Sequence, residues 1–265
     1  MNPRKKRLDV LLVERKLAES REKAKRLILA GLVKVKNVPL PKPGMTLPGD
    51  AEIIVHETEK YVGRGGYKLE AALDKFPVMV KDMTCIDIGA STGGFTDCLL
   101  QRGAGKVYAV DVGYGQLHPD MRHHPKVKVM ERVNARNLSP DIITEKIDLA
   151  VIDVSFISLN LILPSLKTFL KSDGDCIALV KPQFEAGPSE VPKGGVIKNP
   201  ATHEKVLTEF LSYLSGTGWF IRGLIPSPVK GASGNREYLA LFSTAEKSPV
   251  EEIIVEKVVS DAFKE

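Results

Sequence analysis

Apolar positions follow two different periods along this chain. In "KRLDVLLVERKL", Leu8, Leu11 and Leu12, with Arg15, fall at helical spacing and predict a short amphipathic helix. Ser20 is placed to cap a second helix, "REKAKRLILAG", whose apolar stripe is Ala24, Leu27 and Ile28 and whose stop is Gly31. "LVKVKN" then alternates like a half-exposed strand, and "LPKPGMTLPGD" supplies turns before "AEIIV". These elements define a small α+β unit over residues 1–58. Residues 59–66 are polar and carry Gly63, Gly65 and Gly66, so they read as a linker, either a hinge or an ordinary short connection.

From residue 80 strands and helices alternate, as a mostly parallel sheet covered on both faces requires. The predicted strands are "TCIDIG", "KVYAVDVG", "VKVMER", "DLAVIDVSF", "DCIALVKP" and a last "REYLALFST". The predicted helices are "FTDCLLQRG", "LNLILPSLKTFLK" and "THEKVLTEFLSYLSG". The fold class is therefore α/β, a Rossmann-like doubly wound sheet over residues 67–245. Residues 246–265 predict a terminal helix, capped by Ser248, with Pro249 at its first position and Ile253, Ile254, Val258 and Val259 on its apolar face. The Gly- and Pro-rich "FEAGPSEVPKGGVIKNP" predicts a mobile lid, a partner-contacting loop or an ordinary surface loop.

Charge changes this picture more than composition does. Residues 1–36 hold 12 Lys or Arg against four acids, a net +8, which leaves −3 for the rest of a chain whose total is +5. A basic first unit suggests a polyanionic partner. No stretch approaches a membrane span, and the basic start lacks a following secretory segment, so a cytoplasmic protein with no membrane partner is expected. The three cysteines, Cys85, Cys98 and Cys176, have neither metal-ligand nor disulfide-framework spacing, and no metal site is expected.

The run "IDIGASTGGFTD" ends the first strand of the larger unit with glycines at 89, 93 and 94. A dinucleotide turn wants a glycine where Ser91 stands, and Asp87 beside the turn would repel a pyrophosphate. A carboxylate there suits an ammonium instead, and Asp111, 22 residues after Gly89, is spaced to accept from ribose hydroxyls. Asn134 follows the third strand, where it is placed to read an adenine edge. The cofactor expected is S-adenosyl-L-methionine, held by Asp87, Gly89, Ala90, Ser91, Gly93, Gly94, Phe95, Asp111, Asn134 and Asp153.

The acceptor is narrowed by elimination. Asp153 is followed by Val-Ser-Phe, not by the prolines and aromatic usual in exocyclic amine methylation, and no cysteine follows a proline as carbon-5 pyrimidine methylation needs. Oxygen methylation remains the easiest to defend. A hydroxyl must lose its proton as the methyl arrives, and a lysine set among acids is a suitable general base. Lys68, Asp153, Lys181 and Glu237 supply such a set.

Two resemblances sharpen these readings. "SREKAKRLILAGLVKVKN" resembles the S4-like RNA-binding domain, which implies RNA contact through Arg4, Lys5, Lys6, Arg7, Arg21, Lys23, Lys25, Arg26, Lys34 and Lys36. The order Lys68, Asp153, Lys181, Glu237 around "DIGASTGGFTD" is similar to the Lys-Asp-Lys-Glu tetrad of FtsJ/RrmJ-type ribose 2′-O-methyltransferases. With "GRGGYKLE", "DVSFISL" and "KPQFE", the chain from residue 5 to about 244 resembles the TlyA family of ribosomal RNA 2′-O-methyltransferases, also called haemolysins. The resemblance implies Lys181 as base, Asp153 and Lys68 as positioning groups, Glu237 as the completing acid, and cytidine in ribosomal subunits as the acceptor. The competing readings are a membrane-lytic protein and a non-catalytic ribosome assembly factor. Which nucleotide and which subunit are modified, and the oligomeric state, are left open by the residues.

Overall fold

A computed structural model describes residues 5–29, 31–55, 60–139, 141–231, 233–249 and 252–264, with Arg26 described in its backbone alone. The chain divides into two compact units, Met1–Lys60 and Tyr61–Glu265.

The first unit contains β1 (Lys6–Arg7), α1 (Leu8–Glu14), α2 (Arg21–Leu29), β2 (Val33–Val35), β3 (Thr46–Leu47) and β4 (Ile53–Val55). Both predicted helices form, and Leu8, Leu11, Leu12, Ala24, Leu27 and Ile28 bury the stripes that their spacing announces. Ser20 Oγ accepts the Lys23 N–H at 3.2 Å, and Gly31 takes φ +76°, the left-handed stop that a side chain disfavours. β2 pairs antiparallel with β4, and β1 with β3, a short ribbon that no alternation in the sequence announces.

The second unit begins with α3 (Gly65–Lys75) and continues with β5 (Thr84–Ile88), α4 (Gly94–Gln101), β6 (Lys106–Asp111), α5 (Pro119–Arg122) and β7 (Val127–Glu131). It then forms β8 (Ile147–Ile152), α6 (Leu163–Leu166), β9 (Leu170–Val180), α7 (Pro182–Glu185), α8 (Pro200–Gly216), β10 (Phe220–Pro226), β11 (Tyr238–Ser243) and α9 (Val255–Phe263). The seven strands lie in the order β10-β11-β9-β8-β5-β6-β7, parallel except for β11. The chain runs outward from β5 through β6 to β7 and returns to β8 on the other side of β5. That reversal opens a crevice above the carboxyl ends of β5 and β8. Alternate strand residues bury opposite ways: Cys85, Val107 and Leu149 against α3 and α4, and Ile86, Tyr108 and Ala150 in the core with residues of α6, α8 and α9.

Four expectations change, and one unassigned segment is placed. The helix predicted over "LNLILPSLKTFLK" shrinks to a 3₁₀ turn at Leu159–Leu161 and the four-residue α6, and Leu170 already begins β9. Pro164 can occupy only a first turn, because it has no N–H to continue a ladder. The segment "FIRGLIP", not assigned by pattern, is β10 at the sheet edge. The last helix starts at Val255, not Pro249, and has no side-chain cap; burial of Val259 and Ala262 in the core fixes it where Ser248 does not. Residues 61–66, read as a linker, are packed into the second unit. Val62 N–H donates to Asp97 Oδ2 at 2.9 Å, and a Cβ on Gly66 would lie 2.2 Å from the Tyr61 ring. The glycines there serve close approach of chain to chain. The loop after Lys181 is strapped rather than free: Asn235 accepts from Ile197 N–H at 3.1 Å and donates to Gly195 O at 2.8 Å.

Candidate active site

The turn after β5 shapes the first cleft. Gly89 has φ +87°, and a Cβ there would sit 2.3 Å from the Asp153 carbonyl oxygen. The turn is held from β6, because Asp111 accepts the Ser91 N–H at 2.8 Å on one oxygen and the Gly113 N–H at 2.7 Å on the other. Asp153 N–H donates to Ile88 O at 2.9 Å, which keeps the ends of β5 and β8 together. Over them opens a cleft of about 420 Å³ lined by Gly89, Ser91, Asp111, Asn134, Asp153 and Phe156 with apolar Ile88, Val110 and Val133. Asn134 Oδ1 meanwhile accepts the Arg136 N–H at 3.0 Å. The lining holds two carboxylates and no Lys or Arg. Such a wall repels a pyrophosphate and suits a cationic nucleoside, so the residues present fit S-adenosylmethionine better than a dinucleotide.

The other sequence-predicted cofactor residues divide. Ala90, Gly94 and Phe95 line an adjoining depression of about 110 Å³ that also reaches Ser91 and Asp153. Gly93, at φ +96°, faces Met121 and Leu117 behind the turn. Asp87 lies fully buried beneath the turn and outside the lining of the first cleft and the depression beside it, with Oδ2 accepting from Thr96 Oγ1 at 2.6 Å and Oδ1 without a partner among the described residues. Burial, with smaller contributions from Asp153 and Asp111, pushes its carboxyl up to about 7 against the Thr96 bond. The acids that line the first cleft are Asp111 and Asp153.

A second cleft, about 560 Å³, contains all four tetrad residues and shares Ser91, Asp153, Ser155 and Phe156 with the first. Lys68 comes from the first turn of α3, Asp153 follows β8, Lys181 follows β9, and Glu237 precedes β11. β9 and β11 are antiparallel with Val180 opposite Tyr238, so Lys181 and Glu237 emerge at the same end of the sheet. Lys68 Nζ donates to Glu237 Oε2 at 2.5 Å, and Lys181 Nζ lies 2.6 Å from Asp153 Oδ1 while donating to Ser155 Oγ at 3.0 Å. Lys68, Lys181 and Glu237 are 7%, 8% and 3% exposed, so the Lys68–Glu237 pair is nearly dry, while Asp153 beside Lys181 is half-buried. A buried lysine–carboxylate pair beside a cleft is costly to bury for stability alone.

Sequence reasoning missed several groups here. Phe156 is 89% exposed at φ +63°, with its ring 4.9 Å from that of Phe184. Glu185 accepts Ser158 Oγ at 2.7 Å and Leu159 N–H at 2.9 Å, bracing the loop after β8 against the segment that carries Lys181. Burial pushes the Glu185 carboxyl up. Both belong to strings singled out above, "DVSFISL" and "KPQFE", but periodicity reads Phe156 as a strand end.

The basic unit spends part of its charge internally. Asp9 is fully buried and takes Arg7 on both oxygens, at 3.0 and 2.9 Å, and Arg21 at 3.2 Å; the Arg7 bond first, over the cost of burial, holds its carboxyl down at about 2. Lys6 pairs with Glu14 at 2.7 Å, and Lys36 with Glu52 at 2.8 Å. Lys5, Lys23, Lys25 and Lys34 form no ion pair with the other described residues and are exposed or half-exposed. Arg4 and the Arg26 side chain lie outside the described residues. Among the described residues no cluster of three or more His, Cys, Asp or Glu is arranged to hold a metal, and no helix is long and apolar enough to cross a membrane.

Comparison with known proteins adds the family. The FtsJ-like methyltransferase family matches residues 61–244, and the S4 domain family matches residues 6–53. The 16S/23S rRNA (cytidine-2′-O)-methyltransferase TlyA of Mycobacterium tuberculosis is 43% identical over 243 residues, covering 91% of each chain. Hemolysin A of Brachyspira hyodysenteriae is 41% identical over 237 residues, covering 89% of this chain and 99% of its own. A solved structure from Streptococcus thermophilus that carries the hemolysin name superposes with TM-score 0.74 at 44% identity, covering 100% of this chain and 97% of that one. The α/β fold, the S4 domain and these relatives agree: this chain belongs to the TlyA family of FtsJ-like methyltransferases.

Proposed function

We propose that the protein transfers a methyl group from S-adenosylmethionine to a ribose 2′-hydroxyl of ribosomal RNA, with cytidine as the acceptor nucleoside. The observation that carries this reading is the meeting of the two clefts at Asp153, where the tetrad converges. Bound in the first cleft, the cofactor would supply an electrophilic methyl on a sulfonium. Gly89 and Ser91 let the turn come close to it, Asp111 and Asn134 stand where its ribose and base would lie, and Asp153 offers a carboxylate to its positive charge.

In the second cleft the acceptor hydroxyl meets Lys181. Lys181 is the base that takes the 2′-proton as the hydroxyl oxygen receives the methyl that the cofactor would supply. Asp153 orients the amine, and the Lys68–Glu237 pair fixes the far wall. Phe156, exposed at the mouth of both clefts, gives an unstacked base a ring to lie on. The lysines of the first unit that lack internal partners bind phosphates. The names of the curated relatives support ribosomal RNA and cytidine, and a substrate in ribosomal subunits implies a cytoplasmic site of action.

Incubation with methyl-labelled S-adenosylmethionine and ribosomal subunits from cells lacking the enzyme tests the reading. Label should enter ribose, and Lys181→Ala should lower the rate by at least about 100-fold. Label in a base would refute it.

A further inference from the structure

Lys181 Nζ lies in an ion pair 2.6 Å from Asp153 Oδ1 and donates to Ser155 Oγ at 3.0 Å. We propose that Ser155 is a positioning residue for methyl transfer: its Oγ accepts an N–H of Lys181 and, with the Asp153 carboxylate on the other side, holds the lysine nitrogen against the acceptor cleft. The inference rests on the reading of Lys181 as the base.

The surroundings support a positioning role. Ser155 lines both clefts and is exposed, so its hydroxyl is not needed to fill the core. The loop that carries it is fixed at both ends. Asp153 N–H is bonded to Ile88 O at 2.9 Å on one side, and Glu185 grips Ser158 and Leu159 on the other. Phe156, next in sequence, is held in a left-handed conformation with its ring on Phe184. Lys181 Nζ also lies 5.9 Å from the Phe184 ring centre, a favourable distance for the ammonium formed after proton transfer. Without the serine oxygen, Lys181 keeps the ion pair with Asp153 but loses its one directional hydrogen bond, so its nitrogen meets the hydroxyl in only part of the accessible orientations.

The test compares wild type, Ser155→Ala and Ser155→Thr with labelled S-adenosylmethionine and unmodified ribosomal subunits, together with calorimetric cofactor affinity. Ser155→Ala should lower kcat by about 10- to 100-fold, with KM for subunits and cofactor affinity changed less than about 2-fold. Ser155→Thr, which restores the oxygen, should recover kcat to within about 5-fold of wild type. A raised KM at unchanged kcat would mean that Ser155 touches RNA instead, and would overturn the inference. So would an Ala variant with wild-type kcat, a threonine variant as slow as alanine, or a cofactor affinity lost along with activity. Should wild type itself label no ribose, the reading of Lys181 fails first and takes this inference with it; the wild-type arm alone reports that failure.

Discussion

Asp87 shows how little a residue's type says about its work. It reads in sequence as a ligand group because it abuts the glycine turn; its carboxyl is fully buried beneath that turn, and one oxygen has no partner among the described residues. Its cost is visible in pH. Burial lifts the folded carboxyl to about 7, so between about pH 4 and 7 the folded state holds a proton that the unfolded chain has released. Stability therefore falls as pH rises across that window, by up to roughly 4 kcal/mol, and levels off above it. Asp87→Asn keeps an acceptor for Thr96 and should flatten the slope; urea unfolding followed by Trp219 fluorescence at pH 5 and pH 8 measures both. Asp9 acts with the opposite sign. Its carboxyl, lowered to about 2, contributes stability above about pH 4 that is lost as pH falls. The tetrad, by contrast, was legible as residue types in order, and geometry added the pairing: Lys68 with Glu237, Lys181 with Asp153.

Elements were readable where local pattern and tertiary demand coincide. α1, α2, α8 and the strands from β5 to β8 follow their apolar periods closely. Prediction failed where a competing force decided. Pro164 cut a helix short, the last helix was placed by its packing face, and an edge strand with mixed burial, β10, showed no clear alternation. The glycine turn between β5 and α4 is the most exacting connection in the site. Gly89→Ala adds left-handed strain and drives a Cβ to 2.3 Å from the Asp153 carbonyl, and Asp153 must then move. The expected result is a loss of about 2–4 kcal/mol in stability and at least about 10-fold in cofactor affinity, measured by unfolding and calorimetry.

For the whole molecule, the division of labour follows charge. The first unit is basic and the second close to neutral, and the second contains both clefts. Of the cations predicted to bind RNA, Arg7 and Arg21 hold Asp9, which leaves Lys23 and Lys25 on α2 as the freer charges. The double variant Lys23→Glu/Lys25→Glu should raise KM for ribosomal subunits at least about 10-fold and reduce the slope of log affinity against log salt by roughly 2. Cofactor affinity should stay at the wild-type value. Equal KM values in filter-binding and methylation assays would remove these lysines from the RNA contact.

The sequence by itself determined the two-part organisation and the doubly wound sheet, because apolar period and charge sign are local properties of a chain; its resemblance to a known family singled out Lys68, Asp153, Lys181 and Glu237, which the fold brings to one cleft. Only the tertiary structure decided which charges were already spent, which acid faced the cleft and which hydroxyl met Lys181. Those depend on neighbours brought together from distant positions. Burial, as for Asp87, and pairing, as for Arg7 and Arg21, are properties of the fold, and no single residue announces them.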